Sequence, residues 1–205
     1  RSGQTTISAL ARWDGTVWTE FAGGASFTSG AGIVACLQLR EHGSLVVGGR
    51  FDTVGSVLSD AIATLESSCS ASAVAIGAAC ASSGGSNALA AATLPWTGST
   101  FRADGLGLPS TAIVAMVYGL NSISIPLPNL LAQGQPGCDL QASADFLNFA
   151  MTTTGSATSQ LVLPGTAALA GQVIYHQFVP LELDAQGNIV AATATNALAV
   201  TIGTF

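Results

Sequence analysis

Residues 9–21 read ALARWDGTVWTEF, and this stretch decides the fold class. Two runs that alternate apolar and polar side chains, 10–13 and 16–21, are joined by Asp14-Gly15. Alternation with a period of two is typical of a half-buried β-strand, and Asp-Gly is a strong signal for a two-residue hairpin turn. The stretch therefore predicts a β-hairpin near the N-terminus.

The first third of the chain extends this pattern into a repeat. The run 33–39, a turn at 41–43 and the run 44–49 predict two further strands. Residues 9–13 also match residues 61–65, an offset of 52 positions that is close to the length of one four-stranded propeller blade. We therefore expect about one propeller-like blade and a fraction within residues 1–66.

The remainder, residues 67–205, reads as short strands separated by turn residues. Strand candidates are 100–104, 112–118, 139–142, 159–163, 173–183 and 197–201, and turns are expected at 83–85, 109–110, 134–137, 164–165 and 186–188. This spacing is typical of a β-sandwich of the jelly-roll or immunoglobulin-like type. One short helix is expected at 127–132, so the whole chain is predicted to be all-β.

Composition restricts the partners. Only 8% of the 205 residues are charged while 49% are apolar, yet no run of about 18 apolar residues occurs, so we expect no transmembrane segment. The five basic residues are unclustered arginines and the net charge is −6, which excludes a nucleic-acid-binding surface. Because the chain begins with Arg1 and not with Met, we expect further residues upstream in the full protein.

Four cysteines leave more than one pairing open. Cys69 and Cys80 are separated by small residues that two strands and a turn would bring together, which favours a disulfide between them over buried free thiols. Cys138 could pair with either of them instead. Cys36 lies in an alternating run, where a small buried thiol is expected. No CxxC motif supports a zinc site.

Two sets of motifs resemble secreted bacterial proteins. Ala11-Arg12-Trp13-Asp14-Gly15 with Trp18, and GSLVVGGRF at 43–51, resemble the repeat of bacterial secreted β-propellers. The part from Cys69 onward resembles the C-terminal domain that follows such propellers in large exported proteins of planctomycete-like bacteria; this likeness is carried by LPWTG (94–98), GCDL (137–140), LAG (169–171), HQ (176–177) and TNALAVTIG (195–203). The resemblance implies an extracellular or cell-surface location and implies no catalytic residue.

The blade count leads to a hypothesis about assembly. A closed propeller needs at least about four blades, and this chain supplies little more than one. Unpaired strand edges recruit other strands. We therefore expect a non-catalytic structural module whose partners are other copies of itself, assembled through strand edges and apolar faces into a filament or a surface layer.

Catalytic and metal-binding alternatives rest on few residues. His42 and His176 have no nucleophile motif beside them, so a secreted hydrolase is the less favoured alternative. Glu182 and Asp184 could form a glycosidase pair, but a solvated strand end is the favoured interpretation. The segment from Asp184 to Asn188 resembles part of a calcium loop and is interpreted as a turn. We expect no cofactor and no metal.

Aromatic side chains support the alternative of a carbohydrate-binding or adhesion module for extracellular polysaccharide. Trp96, Tyr118, Tyr175 and Phe178 are the candidates for a platform on which sugar rings would stack. Trp13 and Trp18 are instead expected to pack within or between blades.

Overall fold

The computed structural model describes residues 6–13, 17–40, 44–66, 69–152 and 154–204, and in these ranges the chain is all-β. This confirms the predicted fold class. The described residues contain two 3-10 helices and no α-helix. None of the described helices is long and apolar enough to cross a membrane.

The N-terminal part forms three small antiparallel sheets. Its strands are β1 (Ala11–Trp13), β2 (Trp18–Glu20), β3 (Ala25–Phe27), β4 (Gly30–Ala31), β5 (Ile33–Leu39), β6 (Leu45–Arg50), β7 (Thr53–Val54), β8 (Val57–Leu58) and β9 (Ile62–Leu65). The sheet orders are β1-β2, β4-β3-β7-β8 and β5-β6-β9. Leu10, Val47, Phe51 and Val54 are buried in the core that these sheets share.

The strands expected to share one four-stranded blade are divided between two sheets. β1 and β2 form a hairpin at the predicted place, but Trp13 pairs with Trp18, so four residues separate the paired positions and not the two expected at Asp14-Gly15. β5 and β6 pair with β9 instead of with that hairpin. Gly49 explains part of this arrangement, because a Cβ there would lie 2.0 Å from the Ile33 carbonyl oxygen on β5. Close pairing of β5 with β6 therefore requires glycine. The division of the expected strands between two sheets does not support a propeller blade.

The C-terminal part is built around one six-stranded antiparallel sheet. Its strands are β10 (Ser72–Ile76), β11 (Ala81–Ser82), β12 (Gly85–Ser86), β13 (Ala88–Ala91), β14 (Thr100–Leu106), β15 (Ala112–Gly119), β16 (Ser122–Pro126), β17 (Asp139–Ala142), β18 (Phe146–Thr152), β19 (Ala157–Val162), β20 (Val173–Leu183), β21 (Ile189–Ala192) and β22 (Ala197–Thr201), with 3-10 helices at Leu127–Asn129 and Ala167–Leu169. The main sheet has the order β10-β22-β20-β15-β18, with β21 also paired to β20. The first 3-10 helix occupies part of the helix expected at 127–132.

Alternate residues of the central strands pack on opposite faces of this sheet, as the two-residue period requires. Val114, Met116 and Tyr118 of β15 are buried against the three-stranded sheet β13-β14-β19, which contributes Phe101 and Ala103. The two sheets form the layers of a sandwich, as predicted for this part of the chain.

The opposite face of the main sheet is covered by the β16–β17 hairpin and its connecting loop. Val117 and Val179 pack there against Leu127 and Ala142. Buried Gln177 joins the layers, because its side-chain oxygen accepts from the Gln141 N–H at 2.8 Å and its amide donates to the Thr195 carbonyl at 2.7 Å. The second layer is thereby tied to the sheet by hydrogen bonds as well as by apolar packing.

A disulfide bond anchors the same covering loop. It joins Cys80 to Cys138, with a Cα–Cα distance of 5.5 Å, whereas Cys69 is a free thiol. The preferred pairing of Cys69 with Cys80 is therefore wrong, and the alternative partner Cys138 is the one used. The physical reason is that Cys69 lies in a bridge to Thr204 at the far end of the chain, while the β17 segment brings Cys138 to Cys80. Cys36 is also free and is exposed, not buried as expected.

Candidate functional site

The four aromatic residues predicted as a sugar platform do not share a surface. Tyr118 and Phe178 are buried in the sandwich core, where Phe178 is 0% exposed. Tyr175 and Trp96 are half-buried, and Tyr175 packs against the covered face of the sheet. The predicted platform is therefore not formed, because alternation along β15 and β20 directs Tyr118 and Phe178 inward.

The tryptophans that were expected to be buried lie on the surface. Trp13 and Trp18 are 46% and 43% exposed, and their rings lie 5.3 Å apart as directly opposed residues of β1 and β2. Cross-strand aromatic pairs of this kind stabilise an isolated hairpin. Their packing between blades is contradicted by this exposure.

His176 forms a buried pair with a serine hydroxyl. Its Nε2 lies 2.7 Å from the Ser159 Oγ, and its Nδ1 lies 2.9 Å from the Val117 carbonyl oxygen. A carbonyl only accepts, so Nδ1–H donates to Val117 and Nε2 accepts from Ser159. The ring stacks on Tyr118 with centroids 4.1 Å apart.

Burial determines the protonation state of this pair. Desolvation lowers the pKa of His176 to about 4, and the hydrogen bond to Val117 opposes that shift. Desolvation likewise raises the pKa of Tyr118. A serine–histidine pair catalyses acyl transfer when a carboxylate orients the histidine and a substrate reaches the serine. Here a backbone carbonyl occupies the position of the acid, and Ser159 is 2% exposed.

The segment from Asp184 to Asn188 is a closed turn. The Asp184 carboxylate accepts from the backbone N–H of Gln186 at 2.9 Å and of Asn188 at 2.8 Å, and from the Asn188 side chain at 3.0 Å. Hydrogen bonds from Asn188 contribute most to lowering the pKa of Asp184, and those from the backbone of Gln186 and Gly187 contribute less. These internal donors explain the residues as a turn, which is the interpretation favoured over a calcium loop.

Other predicted site residues are located as follows. Glu182 is half-buried on β20, and Asp184 follows the end of that strand. His42 and Asp14-Gly15 lie outside the described residues. Groups of three or more potential metal-ligating side chains are absent from the part of the chain that the structure describes.

One open apolar surface is the strand β18 at one edge of the main sheet. It pairs with β15 on one side and with no other strand of the described residues. Phe146 and Leu147 are 58% and 43% exposed, and Phe149 and Met151 are 59% and 64% exposed. Leu147, Phe149 and Met151 alternate along the strand and form a row on one face. No residue from 146 to 152 is charged.

One feature of β18 limits access to this edge. The Phe149 N–H donates to the Asn148 side-chain oxygen at 2.8 Å. Edge strands are commonly protected by charges, proline, bulges or covering loops. In β18 this side-chain cap on one backbone donor stands in place of a charged residue.

A second candidate surface is a groove between the N-terminal sheets and the loop at 96–99. Its volume is about 330 Å³, and its walls are mostly apolar side chains, namely Leu10, Trp13, Phe21, Leu37, Leu39, Leu45 and Trp96. Arg12 is the one charged residue among those that line it. A Cβ at Gly98 would lie 2.4 Å from Arg12 Nη2, so the guanidinium is packed against the glycine backbone.

No family model matches this chain, and comparison with curated proteins and with solved structures found no match either.

Sequence reasoning missed both candidate surfaces. β18 was not among the predicted strands, although Leu147, Phe149 and Met151 alternate along it, because Phe146 directly before Leu147 interrupts the two-residue period at its start. The available signal was that Asp145 is the one charged residue in the sequence from 144 to 152. The groove combines residues far apart in the chain, and no local pattern reports it.

Proposed function

We propose that this chain is a non-catalytic, extracellular structural module that associates with further copies of itself through the open edge of β18. The observation that carries the proposal is the row formed by Leu147, Phe149 and Met151 on an uncharged edge strand. A second copy is the occupant we infer, because its own β18 has matching length and chemistry.

The strand is compatible with antiparallel pairing to itself. If two copies pair about Phe149, Leu147 lies opposite Met151 and Phe146 lies opposite Thr152, so that no charges oppose each other. The net charge of −6 disfavours close approach of two copies in general, but no acid lies within β18. Aromatic and aliphatic cross-strand pairs each stabilise a sheet by roughly 0.2–1 kcal/mol.

Pairing of unlike edges would give a filament instead of a dimer. β10 is the strand at the other end of the main sheet, and its exposed Val74 and lack of charge resemble those of β18. Contacts between unlike surfaces generate open chains when rotation does not close them. A filament or surface-layer subunit therefore corresponds to β18 bound to β10 of the next copy.

The location and the lack of catalysis are parts of the same proposal. The Cys80–Cys138 disulfide supports an oxidising, extracellular environment. Burial of His176 and Ser159, with a carbonyl in place of an acid, favours a structural role for that pair. The buried Tyr118 and Phe178 give no support to the carbohydrate-binding alternative.

The experiment is sedimentation analysis of the full chain over a range of concentrations, combined with electron microscopy. We expect reversible association that Phe149→Lys weakens at least about tenfold, since a lysine on an edge strand opposes pairing. Leu58→Lys is the matched control, because Leu58 is 83% exposed on β8 and lies outside the proposed contact. Val74→Lys distinguishes the modes: it abolishes filaments if β18 binds β10 of the next copy, and it leaves association unchanged if β18 pairs with β18.

A chain that stays monomeric at high concentration would contradict the proposal. Equal effects of the lysines at positions 58 and 149 would contradict it as well, because they would indicate nonspecific apolar association.

A further inference from the structure

We propose that the groove lined by Arg12 binds a small amphipathic carboxylate, such as a medium-chain fatty acid anion. The carboxylate would lie on the Arg12 guanidinium, and the apolar chain would lie along Leu37 and Leu39. This site is separate from β18, so the inference does not depend on self-association.

The walls of the groove favour an apolar ligand. Leu37 and Leu39 are 53% and 46% exposed, and Trp13 is 46% exposed, although all three border one concavity. Covering such side chains is favourable by roughly 25 cal/mol per Å² of apolar surface removed from water. A sugar would place hydroxyl groups against walls that supply few partners for them.

The charge of the groove favours an anion. Arg12 is half-buried, and it alone is charged among the groove's lining residues. Arg12 also borders an adjoining depression together with Glu20 and Glu66, but neither glutamate lines the groove. A guanidinium in a partly desolvated site binds carboxylates through paired hydrogen bonds. Carboxylate is therefore the chemistry that this charge selects.

Gly98 leaves room for the guanidinium. Its φ of +69° is the left-handed conformation that favours glycine, and the missing Cβ leaves room for Arg12 Nη2. Alanine at this position would displace the guanidinium from the loop at 96–99. The recognition element is thus shared between β1 and the C-terminal part of the chain.

The size of the groove limits the ligand. A volume of about 330 Å³ lies at the lower end of the range for small-molecule sites, roughly 300–1,000 Å³. The groove therefore has room for one short acyl chain.

The test is calorimetric titration of the full chain with three probes of equal tail length: octanoate, octanol and octyltrimethylammonium. We expect saturable binding of octanoate with one site per chain. Octanol should bind at least about tenfold more weakly because it lacks the charge, and the ammonium should bind more weakly still.

Variants then assign the site. Arg12→Gln should weaken octanoate binding at least about tenfold and leave octanol binding unchanged, which also shows that the groove is intact. Gly98→Ala should also weaken octanoate binding. Arg102→Gln is the matched control, since Arg102 is exposed on β14 and does not line the groove.

Three results with these probes and variants would overturn the proposal. They are no saturable binding of octanoate, equal binding of all three probes, and octanoate binding that Arg12→Gln leaves unchanged. Binding of cellohexaose in place of octanoate would also overturn it and would assign the groove to carbohydrate.

Discussion

Ala9 and Ala61, which lie 52 positions apart in the matching segments, adopt the same left-handed backbone conformation, with φ of 61° and 65°. The hydrogen bonds around them also correspond: the Leu10 N–H donates to the Ser8 carbonyl and the Ile62 N–H donates to the Asp60 carbonyl, both at 2.8 Å. The internal repeat seen in the sequence therefore has a structural counterpart, a tight three-residue turn before a strand.

This turn predicts a stabilising substitution. A Cβ in the left-handed region costs about 1–2 kcal/mol, so Ala61→Gly should raise the free energy of unfolding by roughly 0.5–1 kcal/mol after the added chain entropy is subtracted. Urea unfolding measures it. Ala31→Gly on β4, where φ is not positive, should lower stability instead, and a loss of stability in both variants would contradict the strain at Ala61.

The buried His176 predicts a loss of stability on acidification. Its pKa is about 4 in the folded protein against an ordinary value of 6.5, so the unfolded chain takes up the proton first. Stability from this group is complete above about pH 6.5 and falls as the pH approaches 4, by up to about 3 kcal/mol.

Urea midpoints between pH 5 and pH 7 isolate this effect from the carboxylates. His176→Gln should remove most of the slope in that window, whereas His42→Gln should retain it. A pH dependence that His42→Gln removes and His176→Gln retains would contradict the assignment to His176.

Loss of the disulfide is expected to lower the free energy of unfolding. Cys80 and Cys138 are 58 residues apart, and closing a loop of that length stabilises a folded chain by about 4 kcal/mol in the chain-entropy model. Cys138→Ser should lower the free energy of unfolding by roughly 2–4 kcal/mol. Cys69→Ser, which removes a free thiol, should have a much smaller effect, and the reverse order would refute the observed pairing.

The cap on β18 predicts a variant with stronger association. Asn148→Ala removes the oxygen that accepts from the Phe149 N–H, which leaves that donor for a strand of another copy. Sedimentation should then detect association at lower concentration than for the unmodified chain. Asn188→Ala, which also removes an exposed asparagine, is the control; weaker association of Asn148→Ala would argue against pairing at this edge.

Local pattern was sufficient for much of the architecture. The strand-forming runs 33–39, 173–183 and 197–201 predicted β5, β20 and β22 with their observed bounds, because strand composition and the turn residues between strands are properties of consecutive residues. The sandwich class of the C-terminal part followed from the same strands and their turns. The match of 9–13 with 61–65 was visible for the same reason.

Only the tertiary structure decided which residues meet. Four cysteines permit several pairings, and the choice of Cys138 depends on the hairpin that folds over the main sheet. Tyr118 and Phe178 became core residues because their strands lie at the centre of a sheet covered by a second layer, whereas β18 stays open because it lies at the edge. Composition and period belong to each segment, but strand order and packing of distant segments determine exposure and hence the surfaces available for binding.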